Sequence, residues 1–255
     1  MTALDWLVRR PIAHRGYHDR AAGRVENTLA AARAAIDHDF AVECDLQVTT
    51  DGHAVVFHDD HLDRLTDGHG PIRALDLAAV RKLTLLDAGE PIPTLAELLD
   101  VAAGRVPLVI EMKSPWNGDR SLEKAAAPLL AAYKGPAAVM SFDPDSMRAM
   151  RSLLLAMPRG LTADAFRPDP EMPAFTAWQR FRLANLLAAP SVGASFVSYG
   201  ISDLPALAPA LARRLGLRLI TWTIRTPADR AKARRYTEQI TFEGFDPDQS
   251  PAPPR

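Results

Sequence analysis

The sequence predicts an α/β fold, a (β/α)8 barrel with a small insertion after the second strand. Three observations lead there. Eight short β-like runs, near residues 12, 43, 109, 139, 161, 197, 220 and 241, alternate with helix-forming stretches. Their spacing suits parallel crossover units, and eight such units fit in about 250 residues. Ionisable residues gather where the strands end, which is where a barrel of this kind carries its functional groups. A doubly wound open sheet is the alternative, but no Gly-rich dinucleotide fingerprint supports it.

The elements follow in order. Pro11–Gly16 is a short strand ending at glycine, and residues 17–25 form a polar loop. Glu26–Ile36 is rich in helix formers, with Asn27 and Thr28 both candidate N-caps. A strand at 40–48 turns back through Asp51-Gly52 into a return strand, Ala54–Phe57. Residues 60–90 are polar and broken by glycines and a proline; they read as an insertion with a short helix near 76–83. Pro93–Ala103 has helical periodicity, with Thr94 and Glu97 in capping-box spacing. Strands at Val106–Lys113, Ala137–Phe142, Gly160–Ala163, Ala194–Tyr199, Leu217–Ile224 and Gln239–Phe242 then alternate with helices at Ser121–Tyr133, Asp145–Leu155, Trp178–Ala189, Leu204–Leu215 and Ala228–Thr237. No internal linker separates domains, so the chain reads as one domain over 1–255, with residues 246–255 a loose proline-rich tail.

Composition narrows the function classes. The formal net charge is -1, which gives no electrostatic case for nucleic acid or an anionic membrane. A single cysteine, Cys44, excludes an intrachain disulfide framework and reads as a small buried apolar residue. No apolar run approaches the ~18 residues that a membrane span needs, and the N-terminus lacks the pattern of a signal peptide. A cytoplasmic protein is the expectation, with the oligomeric state left open.

The chemistry starts at Glu43-Cys-Asp45. Side chains alternate along a strand, so the two carboxylates share a face. Glu111 and Lys113 are likewise spaced by two. Glu43, Asp45 and Glu111 together offer oxygen ligands for one hard divalent cation, Mg2+ or Ca2+. Equally, they suit a salt-bridge network with Arg15 and Lys113. His14 and His58, both at strand ends beside this acidic cluster, are the candidate acid and base. Arg15 and Lys113 are cations at the same barrel end, suited to phosphate oxygens. Cation, basic side chains and two imidazoles together are the equipment for phosphoryl chemistry.

His14-Arg-Gly16, Glu26-Asn-Thr28, Val42–Gly52, Val55–Asp59, Ile92–Leu95, Glu111-Met-Lys113, Ser141-Phe142 and Trp222-Thr223 together resemble the glycerophosphodiester phosphodiesterase family, over roughly residues 11–245. The resemblance implies a TIM barrel that cleaves a glycerophosphodiester to sn-glycerol 3-phosphate and an alcohol. It implies Glu43, Asp45 and Glu111 on the metal, His14 and His58 as the acid–base pair, and Arg15 and Lys113 on the phosphate. Glu26 and Asn27 would orient these groups, with Glu26 also within the metal's reach. The implied route has a glycerol hydroxyl attack phosphorus, giving a cyclic phosphate that water opens. Two departures from the family pattern stand out: Ile240–Pro247 replaces its Thr-Asp-x-Pro-like ending, and Val25 replaces a proline. Phe142, Tyr199 and Trp222, near strand ends, are candidates for contact with the leaving alcohol, or else core filling. Residues 166–190 read as an ordinary amphipathic helix or as an apolar lip for a lysophospholipid chain. A lysophospholipase D-like or phosphodiester-cyclising enzyme is therefore a second reading, and a non-catalytic phosphate- or lipid-binding barrel a third.

Overall fold

The computed structural model describes residues 4–169 and 172–249. The fold is the (β/α)8 barrel that the sequence predicts, with eight parallel strands and one antiparallel return strand. The chain divides into two compact units.

One unit comprises Ile12–Lys113 and Asp119–Ala137. Its strands are β1 (Ile12–Ala13), β2 (Ala41–Val48), β3 (Ala54–Val56) and β4 (Leu108–Met112), and its helices α1 (Leu29–Asp37), α2 (Leu77–Val80), α3 (Leu95–Ala102) and α4 (Ser121–Ala132). Strand β2 is buried along its whole length, as a strand covered on both faces must be. It pairs in parallel with β1 and β4 and antiparallel with β3. The β2–β4 register sets Asp45 level with Glu111 and Glu43 level with Val109. That pairing, and not strand alternation alone, gathers the three carboxylates on one face.

Helix α1 starts after the second of its two candidate N-caps. Thr28 is the N-cap, its hydroxyl accepting from the Ala31 amide, while Asn27 adopts a left-handed φ of 58°. Glu26 and Asn27 are thereby left on a loop. Gly16 has φ 79°, and a Cβ there would lie 2.8 Å from the carbonyl carbon of Ala31. Only glycine tolerates both demands. The expected capping box of Thr94 and Glu97 forms at the start of α3.

Residues 60–90 are more than a polar excursion. Leu62, Leu65, Ile72, Val80 and Leu85 form one buried apolar cluster with Val25, Val55, Phe57 and Ile92. Each such side chain contributes roughly 1.5–3 kcal/mol on burial, enough to fix the segment's path. Its helix is a single turn, α2, capped by Asp76.

The other unit holds the remaining described residues. Its strands are β5 (Ala137–Ser141), β6 (Arg159–Ala163), β7 (Phe196–Gly200), β8 (Arg218–Ile224) and β9 (Gln239–Phe242); its helices are α5 (Pro144–Leu153), α6 (Ala177–Ala184), α7 (Ala189–Val192), α8 (Leu207–Arg214) and α9 (Pro227–Tyr236). Consecutive strands pair in parallel. At Gly160 a Cβ would come within 2.4 Å of the Phe196 ring, so glycine here makes room for an aromatic core residue. The helix expected over Trp178–Ala189 is two helices, interrupted where Leu186 takes φ 57°. The helix expected from Leu204 begins at Leu207, because the residue before Pro205 is driven out of the helical region. Of the stretch expected to be a loose tail, residues 246–249 are described: Arg230 donates to the Pro247 carbonyl, and Arg10 pairs with Asp248. Residues 250–255 lie outside the described residues.

Candidate active site

The first site residues come from the turn after β1. Its left-handed conformation at Arg15 (φ 53°) aims the Arg15 amide at Glu43 Oε2, 2.8 Å away. The next amide, that of Gly16, donates to the Glu43 carbonyl at 3.0 Å. His14 is half-buried, one residue past Ala13, which pairs with Val42. The Arg15 guanidinium donates to Glu26 at 2.5 Å and lies 3.4 Å from Asp45.

Glu43, Asp45 and Glu111 are all buried, and each offers an oxygen within 4.8 Å of the others. Their charges are unevenly compensated. Burial works against the Asp45 carboxylate, but Lys113, His58, Arg15 and Asn27 outweigh it and hold its pKa below the usual range. Lys113 Nζ sits 3.0 Å from Asp45 and 2.7 Å from Glu111; burial disfavours its charge, and these two carboxylates restore it. Among the described residues, Glu43 receives the Arg15 amide and a more distant guanidinium. Burial, then Asp45 and Glu111, push its pKa well above the usual carboxylate value. The salt-bridge network is therefore real but incomplete: one carboxylate of the three is held toward its protonated form. An all-oxygen donor set with a carboxylate awaiting compensation fits a hard divalent cation.

Asn27 fixes Asp45 from two directions. Its side-chain amide donates to Asp45 Oδ2 at 2.9 Å, and its carbonyl oxygen accepts the Asp45 backbone amide at 3.1 Å. Its own backbone amide donates to the Arg15 carbonyl at 2.9 Å. Glu26 accepts from Arg15 and also from Arg64. Burial opposes its charge, but these two guanidiniums hold its pKa down at about 2.

The return strand β3 brings back His58. The Phe57 amide donates to the Asp45 carbonyl at 3.0 Å, and His58 lies close enough to stabilise the Asp45 charge. His58 Nδ1 is 2.7 Å from Asp59 Oδ1. Burial opposes the Asp59 charge, yet His58 and Arg64 hold its pKa low. An ionised carboxylate only accepts, so Nδ1 carries the proton and Nε2 is left for chemistry. Gln47 Nε2 faces the carbonyls of His58 and Asp59 at 3.4 and 3.2 Å and Asp60 Oδ1 at 3.0 Å.

Every charged site residue predicted from the sequence thus falls in one compact unit. Asp59, Gln47, Arg64 and Arg73 were not expected there. Arg73, in the insertion, donates to the Lys113 carbonyl at 2.5 Å. Asp59 had a signal, since it adjoins His58; the two arginines had none in a chain rich in arginine.

Phe142, Tyr199 and Trp222 belong to the other unit. Phe142 packs edge-on against Trp222 at 5.5 Å and Phe166 at 5.9 Å. Tyr199 is buried, and its hydroxyl donates to the Ala184 carbonyl at 3.2 Å. Burial and the nearby Asp203 and Asp164 push its pKa up to about 12. Its hydroxyl thus ties the end of β7 to the end of α6. Trp178 and Phe181 stack at 5.4 Å and are 63% and 51% exposed. No residue of α6 is buried, whereas Phe166 and Leu186 of the same stretch are. Among the described residues, no helix is long and apolar enough to cross a membrane.

Known proteins share this arrangement of sequence and fold. The Bacillus subtilis protein YhdW, provisionally assigned as a glycerophosphodiester phosphodiesterase, is 30% identical over 233 residues, covering 87% of this chain and 88% of that one. A glycerophosphodiester phosphodiesterase of the same organism is 33% identical over 174 residues, 58% of this chain and 57% of its own length. The structure of an Oleispira antarctica phosphodiesterase in complex with the product sn-glycerol-3-phosphate has the same fold, with TM-score 0.76 and 24% identity over 93% of each chain. The sequence model of the glycerophosphoryl diester phosphodiesterase family matches residues 14–240, and the chain belongs to that family.

Proposed function

We propose that the protein hydrolyses glycerophosphodiesters to sn-glycerol 3-phosphate and an alcohol, with residues 1–255 serving as one catalytic domain. The observation that carries this reading is the cluster of Glu43, Asp45 and Glu111 with Lys113 and Arg15 at its edge, in a member of this family. Glu43, Asp45 and Glu111 would hold one divalent cation, Mg2+ or Ca2+. When bound, it would supply positive charge to phosphoryl oxygens.

Arg15 and Lys113 bind and orient the phosphate through their N–H groups. Glu26 fixes the Arg15 guanidinium, and Asn27 fixes Asp45. One imidazole of the His14/His58 pair takes the proton of a glycerol hydroxyl as its oxygen attacks phosphorus. The other gives a proton to the departing alcohol oxygen, leaving a cyclic phosphate. Water then opens the ring with the two proton transfers reversed. Phe142, Tyr199 and Trp222 are the candidates for contact with the alcohol group.

The test is release of sn-glycerol 3-phosphate from glycerophosphocholine, glycerophosphoethanolamine and glycerophosphoglycerol, with Mg2+ or Ca2+ added after chelation. Turnover that survives stringent chelation would remove the metal from the reading. The exposed Trp178, Phe181 and Leu187 favour a second, lysophospholipase D-like reading. Lysophospholipids assayed in parallel decide it, and no turnover on them eliminates it.

A further inference from the structure

We propose that Arg64, carried by the insertion, is a positioning residue that ties the two halves of the reaction machinery into one rigid bridge. This rests on the reading of His58 as an acid–base group and of Arg15 as a phosphate ligand.

The bridge is built entirely from side chains. Arg64 Nε and Nη2 donate to Asp59 Oδ2 and Oδ1 at 2.6 and 2.9 Å. Its Nη1 and Nη2 donate to Glu26 Oε2 and Oε1 at 3.0 and 2.8 Å. Asp59 in turn accepts from His58 Nδ1, and Glu26 from Arg15 Nη1. One guanidinium therefore makes two forked carboxylate contacts, a geometry that lysine cannot reproduce. The chain of contacts runs His58–Asp59–Arg64–Glu26–Arg15.

Arg64 does this although its side chain is 47% exposed. An exposed arginine ordinarily samples many rotamers. Here its backbone is held on both sides, because Leu62 and Leu65 are buried in the insertion's apolar cluster. The Leu65 and Thr66 amides also donate to the Leu62 carbonyl. The insertion thus presents Arg64 from a fixed base.

Two consequences follow for the reaction. The Asp59 carboxylate, locked by Arg64, sets the His58 ring plane and keeps the proton on Nδ1. The Glu26 carboxylate, locked by the same guanidinium, sets where Arg15 meets the phosphate. Such orienting partners act on the reacting geometry more than on ground-state affinity.

The test compares steady-state turnover of glycerophosphocholine by the full chain and by Arg64→Ala, Arg64→Lys, Asp59→Asn, Asp59→Asn/Arg64→Ala and His58→Ala. Arg64→Ala is expected to lower kcat by about 30-fold or more, with KM changed by less than about five-fold. Methylguanidine in the buffer is expected to restore part of the lost kcat. Arg64→Lys keeps the charge without the double fork and falls between. The double variant is expected to be no worse than its poorer single parent, because both break the same bridge. Should Arg64→Ala not fold, Arg64→Gln takes its place in every comparison. Turnover of Arg64→Ala within two-fold of the parent overturns the proposal, as does a loss that methylguanidine leaves untouched or that adds to that of Asp59→Asn. An active His58→Ala instead overturns the acid–base reading itself, and the bridge with it. An inactive His58→Ala beside a normal Arg64→Ala overturns the bridge alone.

Discussion

The two compact units bury their polar groups in different ways. In the unit containing β1 to β4, the buried polar residues include Glu43, Asp45 and Glu111, each dependent on the charge of its neighbours. In the unit containing β5 to β9, the strands bury mostly hydroxyls, those of Ser141, Thr162, Ser198, Thr221, Thr223 and Thr241, with the charged Arg159 beside them. Of these, Thr162, Ser198 and Thr241 have buried hydroxyls with no hydrogen-bond partner in the structure. A neutral hydroxyl left unpaired costs about 1–3 kcal/mol. An uncompensated carboxylate costs far more, and shifts its pKa instead. In the first unit the loss of one charge is therefore felt by the others, and in the second the loss of one hydroxyl is mostly local.

Substitution of the imidazoles gives the largest contrast. His14→Ala and His58→Ala are each expected to reduce kcat by at least about 10³-fold while leaving the far-ultraviolet circular dichroism spectrum unchanged. Normal turnover in either would break the proposed acid–base pair.

Next comes the carboxylate cluster. Glu43→Gln removes a group that burial and like charge already push toward neutrality. The folded-state pKa is raised, so the stability cost of Glu43 sets in as pH rises through its unfolded value and grows toward the folded one. In chelator, at neutral pH, Glu43→Gln is thus expected to melt about 2–4 °C higher than the parent. Added Mg2+ or Ca2+ is expected to raise the melting temperature of the parent and not of the variant, with turnover of the variant reduced by about 10²-fold. A lower melting temperature in chelator would mean that the network already satisfies Glu43.

Acid gives the third test, with the opposite sign. Glu26 has its folded pKa depressed from 4.5 to about 2. Its contribution is fully present above the unfolded value and is lost as pH falls from about 5 toward 2. At roughly 1.4 kcal/mol per pKa unit this is of order 3 kcal/mol. Urea unfolding at stepped pH is expected to show a shallower acid loss in Glu26→Gln; equal slopes would dissociate Glu26 from the two arginines. The smallest effect is expected in the second unit. Phe142→Ala should cost about 2–3 kcal/mol in urea unfolding and change kcat by less than about ten-fold. A loss rivalling that of His58→Ala would erase the distinction between the units.

Much of this was legible in the residues themselves. Glu43, Asp45, Glu111 and Lys113 announce themselves by two-residue spacing, because strand alternation converts spacing into direction. The Thr94–Glu97 capping box and the Asp51-Gly52 turn are equally local. The bridge through Arg64 was not legible. Its partners lie 5 and 38 residues away, and an arginine in a polar loop looks like any other. The apolar cluster of the insertion was hidden for a related reason, since Leu62, Leu65, Ile72, Val80 and Leu85 follow neither a helical nor a strand period. Tyr199 is open to two readings in the sequence, alcohol contact and core filling, because its place at the end of β7 does not say that its hydroxyl goes to the Ala184 carbonyl.

The apolar cluster beneath residues 60–90 bears on protein engineering. A surface loop can ordinarily be shortened or exchanged without touching the scaffold. Here the segment shares its core with Val55 and Phe57 of the return strand region and with Val25 just before Glu26. Loop grafts between relatives should therefore carry residues 25, 55, 57 and 92 along with the graft, or the recipient will inherit a segment that does not seat.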